Sequence, residues 1–187
     1  MMRSFMVALR ASLFLMILCG LIYPLATTGV AQVLFHKQAE GSLVTTNGKV
    51  QGSELLAQDF KGPQWFHPRA SAAKYDATAS AATNAAVASN EYVNTVKDNV
   101  NQLKKENGNI GNTIPTDLVT TSGSGFDPDI SPEAAMAQVP RIAKAMGVSE
   151  ERLQTLINEH TKGRSLGIFG EPRVNVLELN MALQQLK

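Results

Sequence analysis

The chain has 187 residues, 17 basic and 16 acidic, for a net charge near +1 with no basic stretch, which argues against nucleic acid and against anionic headgroups as partners. Its one cysteine, Cys19, precludes an internal disulfide, and its three histidines, His36, His67 and His160, stand too far apart for a zinc pattern. That length allows one domain with a real core, even after a long apolar start is set aside.

Residues 11–35, from Ala11 to Phe35, carry no charged side chain, and Leu13 to Leu25 is nearly all apolar. As a helix this stretch would be ~37 Å long, against a hydrocarbon core of ~30 Å. A lone segment crossing lipid has to satisfy its own backbone, so it should be helical. Pro24 can be tolerated there, with a kink or with a partner helix packed against the small residues Gly20 and Gly29. A cleaved signal peptide is the competing reading, with Gly29-Val30-Ala31 as a passable cleavage site. Apolar character that continues through Val33, Leu34 and Phe35 exceeds a signal peptide's usual core and favours a retained anchor. Arg3, Arg10 and the amino terminus precede the span, and only Lys37 and the more distant Lys49 follow it. The positive-inside rule therefore puts residues 1–10 in the cytoplasm as a stub, with residues 36–187 as an extracytoplasmic domain. With Arg3 and Arg10 set aside, fifteen basic groups face sixteen acidic ones, so that domain is close to neutral.

Within it, Leu43-Val44-Thr45 before Asn47-Gly48 predicts a strand and a hairpin turn. A short amphipathic piece from Gly52 to Gln58 ends at the break Phe60-Lys61-Gly62-Pro63. Trp65-Phe66-His67-Pro68-Arg69 sets aromatics beside an arginine, which suits a core entry or a contact site. Of residues 70–88, ten are alanine, so this segment is a surface loop or a place where another backbone approaches closely. Asn84 or Ser89 can cap a following helix with Val93, Val96, Val100 and Leu103 as its stripe, ending at Asn107-Gly108. A loop at 109–112 leads to a short strand predicted over Leu118–Thr121. It runs into Ser122-Gly123-Ser124-Gly125, whose glycines permit a tight path. Ser131 as N-cap, then Pro132 and Glu133, is a well-formed helix start. That helix should run to Met146 and be kinked or divided by Pro140. Ser149 caps another with Leu153, Leu156 and Ile157 on one face. After a Gly-rich connector at 161–170, Arg173-Val174 can be a strand, and Asn175 can cap a last helix with the stripe Val176, Leu179, Leu183, Leu186. The fold class is thus one N-terminal transmembrane α-helix followed by a single mixed α/β (α+β) domain.

Little in this domain resembles catalytic chemistry. Asp127, Asp129, Ser131 and Glu133 space oxygens as a calcium loop does, but prolines interrupt them and the twelfth place is Gln138. The Ser122–Gly125 loop lacks the lysine of a phosphate-binding loop, and no spacing nominates a histidine partner for a serine nucleophile. An exported hydrolase would rest on that loop alone. A secreted or anchored ligand- or peptide-binding protein would use the Trp65–Arg69 cluster.

Two stretches carry a family resemblance. Residues 115–132, PTDLVTTSGSGFDPDISP, are close to PxDLVTxSGSGLDPHISP. Residues 170–180, GEPRVNVLELN, match GxPxVNVLxLN. Tyr23-Pro24 in the span and Gly52-Ser53 through Gln58 and Phe60 fit too. Together they resemble the C subunit of the Kdp potassium-transporting ATPase. The chain departs from that pattern at Ala57, Ala70, Ala82 and Asp129.

The resemblance implies a non-catalytic accessory subunit of an ATP-driven potassium uptake complex in the cell membrane. It would assemble with a channel-like potassium-translocating subunit, a P-type ATPase subunit and a small single-span subunit. Potassium and Mg-ATP would be handled by those partners, and this chain would need no cofactor or metal of its own. It also lacks the DKTGT motif of aspartyl-phosphate pumps. The family has been described as helping ATP bind, which is awkward for a domain outside the cytoplasm. By resemblance the structural or interface residues are Gln58, Phe60, Arg69, Asn84, Asp117, Ser122, Gly123, Ser124, Gly125, Asp127, Pro128, Ser131, Pro132, Asn175 and Asn180, with Gly20, Tyr23, Pro24 and Gly29 as partner contacts in the span.

Overall fold

From Met2 to Leu34 the backbone is one helix of 33 residues, so the first residues, read as a stub, are helical too. It consists of α1 (Met2–Ile17) and α2 (Tyr23–Leu34), joined by a π-turn over Leu18–Ile22. That turn sits where proline would otherwise break the ladder. Pro24 offers no N–H and its ring crowds the carbonyl four residues back, at Gly20. Lengthening the turn, with the Tyr23 N–H donating to Leu18 O, accommodates the ring without ending the helix. The Thr27 hydroxyl bonds to the Tyr23 and Pro24 carbonyls, each at 3.0 Å. Neither α1 nor α2 has a buried residue, and a side chain built at Gly20 or Gly29 would meet nothing.

This computed structural model describes residues 2–46, 48–108, 110 and 113–186. The chain divides into two compact units, Met1–Leu43 and Val44–Lys187. The first holds the long helix and the short α3 (His36–Ala39).

A two-stranded sheet pairs β1 (Leu43–Thr46) with β2 (Lys49–Ser53). Gly48 takes a φ of +74° at the expected turn, while Asn47 lies outside the described residues. The core of the second unit is C-terminal. A three-stranded antiparallel sheet is ordered β3 (Asp129–Ile130), β5 (Arg173–Asn175), β4 (Thr161–Lys162). Its registers pair Ile130 and Thr161 with Val174. Three helices complete it: α5 (Pro132–Met146), α6 (Glu150–His160) and α7 (Val176–Gln184). Their apolar faces meet at Val139, Ile142, Leu153, Ile157, Leu179 and Leu183, all at most 1% exposed.

The helix starts follow local chemistry. Ser131, Ser149 and Asn175 each accept a backbone N–H three residues on, which satisfies a donor the helix cannot. Gly147, in the left-handed region, closes α5. Of the two outcomes expected at Pro140, a kink or a division, the division does not occur, and α5 runs on past it. Pro140 stands exposed while Val139, Arg141 and Ile142 are buried, so packing on the other faces holds the turn it weakens. Ser89 rather than Asn84 caps α4 (Asn90–Asn107). On α4 the expected stripe is only half-buried at Val96, Val100 and Leu103, and Val93 is exposed.

Three short elements differ from the sequence reading. Leu118–Thr121 is not a strand. Behind Pro115 the chain makes a 3-10 turn at Thr116–Leu118, the Thr120 hydroxyl returns to Thr116 O, and one parallel bridge joins Ala70 to Thr121. Asp129–Ile130, assigned no element from the sequence, and Thr161–Lys162, read as part of a connector, are strands of two residues each, too short to show alternation. Of the 109–112 loop, only Ile110 lies within the described residues.

Candidate functional site

The motif residues converge on the loop Ser122–Gly125. The Ser122 side chain is buried, and its oxygen accepts from the backbone N–H groups of Gly125 (3.1 Å) and Asp127 (3.4 Å). Ser124 Oγ lies 3.3 Å from it and accepts from the Phe126 N–H. A hydroxyl committed in this way folds the turn and offers little as a nucleophile. The three imidazoles meet other groups: His36 meets Gln32, His67 meets Gly62 O, and His160 meets Leu156 O. Gly123 is exposed, whereas Gly125 is buried at a φ of +79°.

The alanine-rich segment lies over this loop. A Cβ at Gly125 would stand 2.8 Å from Ala81 O and 2.9 Å from the Ala73 methyl, so glycine opposite alanine sets the approach. Polar stitches fix it: Ser71 Oγ donates to Gly125 O at 2.7 Å, Ser80 Oγ to Ser124 O, and the Ser122 N–H to Ala70 O at 2.9 Å. Asn84, exposed and at a φ of +51°, belongs to this wrap and caps nothing.

Arg69 clamps the wrap from below. Its Nη1 donates to Asp127 Oδ2 at 3.0 Å and its Nη2 reaches Thr120 Oγ1 and Thr121 O at 3.4 Å. The Tyr75 hydroxyl donates to Arg69 O, and burial, with the nearby Asp59 charge, pushes that phenol up to about 12. Asp127 Oδ1 accepts from the Asp129 N–H, leading into β3 past the half-buried Pro128. The Asp129 carboxylate meets Arg173 at 3.0 Å, yet burial raises its pKa more than the guanidinium lowers it. Of the oxygens that resembled a calcium loop, those of Asp127 and Asp129 are thus directed to arginines and that of Ser131 to a helix cap.

Other motif residues also bond backbone. Asp117 accepts the Ser131 N–H at 2.7 Å and its hydroxyl at 3.2 Å, anchoring the start of α5 beside Pro132. Asn175 caps α7 and donates to Glu54 O. Asn180, fully buried, accepts the Phe66 N–H and donates to Phe66 O, both at 2.9 Å. The Gln58 amide lies on the bare Cα of Gly52, and Phe60 packs tilted against Trp65, ring centres 5.9 Å apart. Within the Trp65–Arg69 cluster Phe66 belongs to the core, Trp65 packs against it half-buried, and Arg69 is paired, which is the core-entry reading.

Arg141 was not singled out from the sequence. Buried in α5, it donates to Pro63 O (2.8 Å), Trp65 O (2.9 Å), Asn107 Oδ1 (2.8 Å) and Gln138 Oε1 (2.7 Å). Helical spacing held the signal, since Ala134, Gln138 and Arg141 share the buried face of α5. Nearby, His67 lines a cleft of about 360 Å³ with Tyr75, Asn99, Leu103 and Glu106. Burial, helped by the Arg141 charge, lowers the His67 pKa below its ordinary value.

A helix long and apolar enough to cross a membrane, joined to an α+β domain whose motif side chains bond one another and its own backbone, is the architecture of a membrane-anchored protein. Residues 5–185 match the family described as KdpC, K+-transporting ATPase, c chain, and the chain belongs to that family. It is 48% identical to a potassium-transporting ATPase KdpC subunit of Rhodopseudomonas palustris (strain BisB18), with both chains covered in full. To a protein of the same description from Caldanaerobacter subterraneus subsp. tengcongensis it is 47% identical, over 94% of this chain and 91% of the relative. The corresponding figure for Methylobacterium nodulans is 50%, over 92% of each.

Proposed function

We propose that this chain is the accessory KdpC subunit of an ATP-driven potassium uptake complex. The helix Met2–Leu34 anchors it in the cell membrane, and its domain supports the channel-like potassium-translocating subunit from the extracytoplasmic side. A P-type ATPase subunit and a small single-span subunit complete the complex, and potassium and Mg-ATP are bound by partners rather than here. Full-length family membership carries this reading. Arg3 and Arg10 ahead of the span, against Lys37 beyond it, support the orientation. Gly20, Tyr23, Pro24 and Gly29 then serve as span contacts, since small residues let a second helix approach closely. With the domain outside, no direct contact with ATP is required of it.

A tag on the carboxyl end tests both parts. Expected are co-purification of the other Kdp subunits from mild detergent, and cleavage of the tag by protease added to intact spheroplasts. A chain that migrates alone, or a tag reached only after lysis, would refute the assembly or the orientation respectively. Intact mass should include residues before Gln32, because the anchor is retained.

A further inference from the structure

Outside the long helix, three of the four most exposed bulky apolar side chains among the described residues cluster on one loop, the connection between β4 and β5. Leu166 is 89% exposed, Ile168 73% and Phe169 64%, and residues 162–172 are exposed throughout. A soluble surface rarely gathers such groups without a partner.

The loop is a built knob. The Ser165 N–H donates to Phe169 O at 2.8 Å and the Phe169 N–H returns to Ser165 O at 3.0 Å, with Gly167 N–H on Arg164 O and Ile168 N–H on Ser165 O. Below them Arg164 pairs with Glu171 at 2.7 Å, and Lys162 stands opposite Arg173 in the sheet. Leu166 is held at a φ of +54°, a conformation that a branched aliphatic residue avoids unless its surroundings impose it. The fold thus holds a leucine at the tip, nearly bare, in a shape set in advance.

Preorganised apolar anchors with a polar collar are how protein interfaces concentrate affinity. A lipid surface would need no fixed shape, and it would reward free cations. Here Lys162, Arg164 and Arg173 are each paired with an acid, Glu178, Glu171 and Asp129. The relatives are named as subunits, so other chains are at hand. We infer that the knob 163–172, led by Leu166, Ile168 and Phe169, seats the Val44–Lys187 domain in an apolar pocket of another subunit of the same pump. This rests on the accessory-subunit reading and adds the contact that carries it.

The test uses the full chain co-expressed with its partner subunits, one of them tagged. A photo-crosslinking amino acid in place of Leu166 is expected to form an adduct with another Kdp subunit. The same probe in place of Val87, which is also exposed, should give at most a tenth of that yield. Leu166→Asp combined with Phe169→Asp should lower recovery on the tagged partner about tenfold in stringent detergent, with thermal unfolding of the isolated chain unchanged. Adducts only with lipid, adducts only with a second copy of this chain, or equal yields at 166 and 87 would overturn the knob. So would undiminished recovery of the double variant. Failure of the unaltered chain to co-purify would instead overturn the subunit reading beneath it.

Discussion

Two stretches of the same domain are held by different forces. Residues 129–186 form helices and strands around fully buried Leu, Ile and Val side chains, and their stability is mostly area removed from water. Residues 54–88 contain no helix or strand, and ten of their last nineteen residues are alanine. They are kept in place by Phe66 inserted in the core and by hydrogen bonds donated by Asn180, Arg69, Arg141, Ser71 and Ser80. Apolar packing tolerates small shifts, whereas a segment tied by directional bonds has few fallback arrangements when one is cut. The C-terminal stretch should therefore unfold as a unit, while the wrap opens locally at lower free energy.

Substitutions separate the two. Leu179→Ala, in the packed half, should lower the unfolding free energy by about 3 kcal/mol through lost burial and a residual cavity, read by chemical denaturation. A change under 1 kcal/mol would mean the core is not where the contacts place it. Arg141→Met is expected to cost about 2–3 kcal/mol because it orphans buried acceptors. Its distinguishing mark is protease sensitivity between Gly62 and Trp65, with α6 and α7 still protected from hydrogen exchange. Gly125→Ala should cost about 2 kcal/mol, since it sets a Cβ against Ala81 O at a left-handed position. Faster exchange confined to residues 70–86 would sharpen the contrast, and a uniform loss would break it.

The smallest effect is in pH. Burial and Arg141 depress the His67 pKa, so the folded state binds that proton less readily than the unfolded chain does. Its contribution to stability is complete above about 6.5, the ordinary histidine value, and is lost as pH falls from there through the folded value. His67→Gln should flatten the fall of stability between pH 7 and 5. Asp129, with its raised pKa, acts in the opposite sense, and at more acidic pH. A variant whose pH profile overlays the parent would remove His67 from the account.

What could be read in advance follows the same division. Ser89, Ser131, Ser149 and Asn175 announced their helices because a cap and its donors lie within three residues. The stripes of α6 and α7 were equally legible from helical spacing. Strands of two residues leave no pattern, and Thr161–Lys162 becomes a strand only because Arg173–Asn175 lies beside it. The motif around Ser122 was visible, but its clamp was not. Arg69 and Asp127 are 58 positions apart, and Arg141 meets Trp65 across 76. Such pairs are decided by the finished fold, and no local preference encodes them.

At the far end of the long helix, Gln32 Nε2 reaches Glu40 Oε1 and Gln32 Oε1 meets His36 Nδ1, each at 3.0 Å. From Arg10, the last charge at the other end, to Gln32 is about 33 Å of helical rise, close to the ~30 Å of hydrocarbon in a bilayer. A bilayer-crossing rod with a cation at one end of such a stretch and a small polar cluster at the other has little room to slide along its axis. In the anchor proposed above, immersion depth would thus be written into side chains that belong to the helix alone.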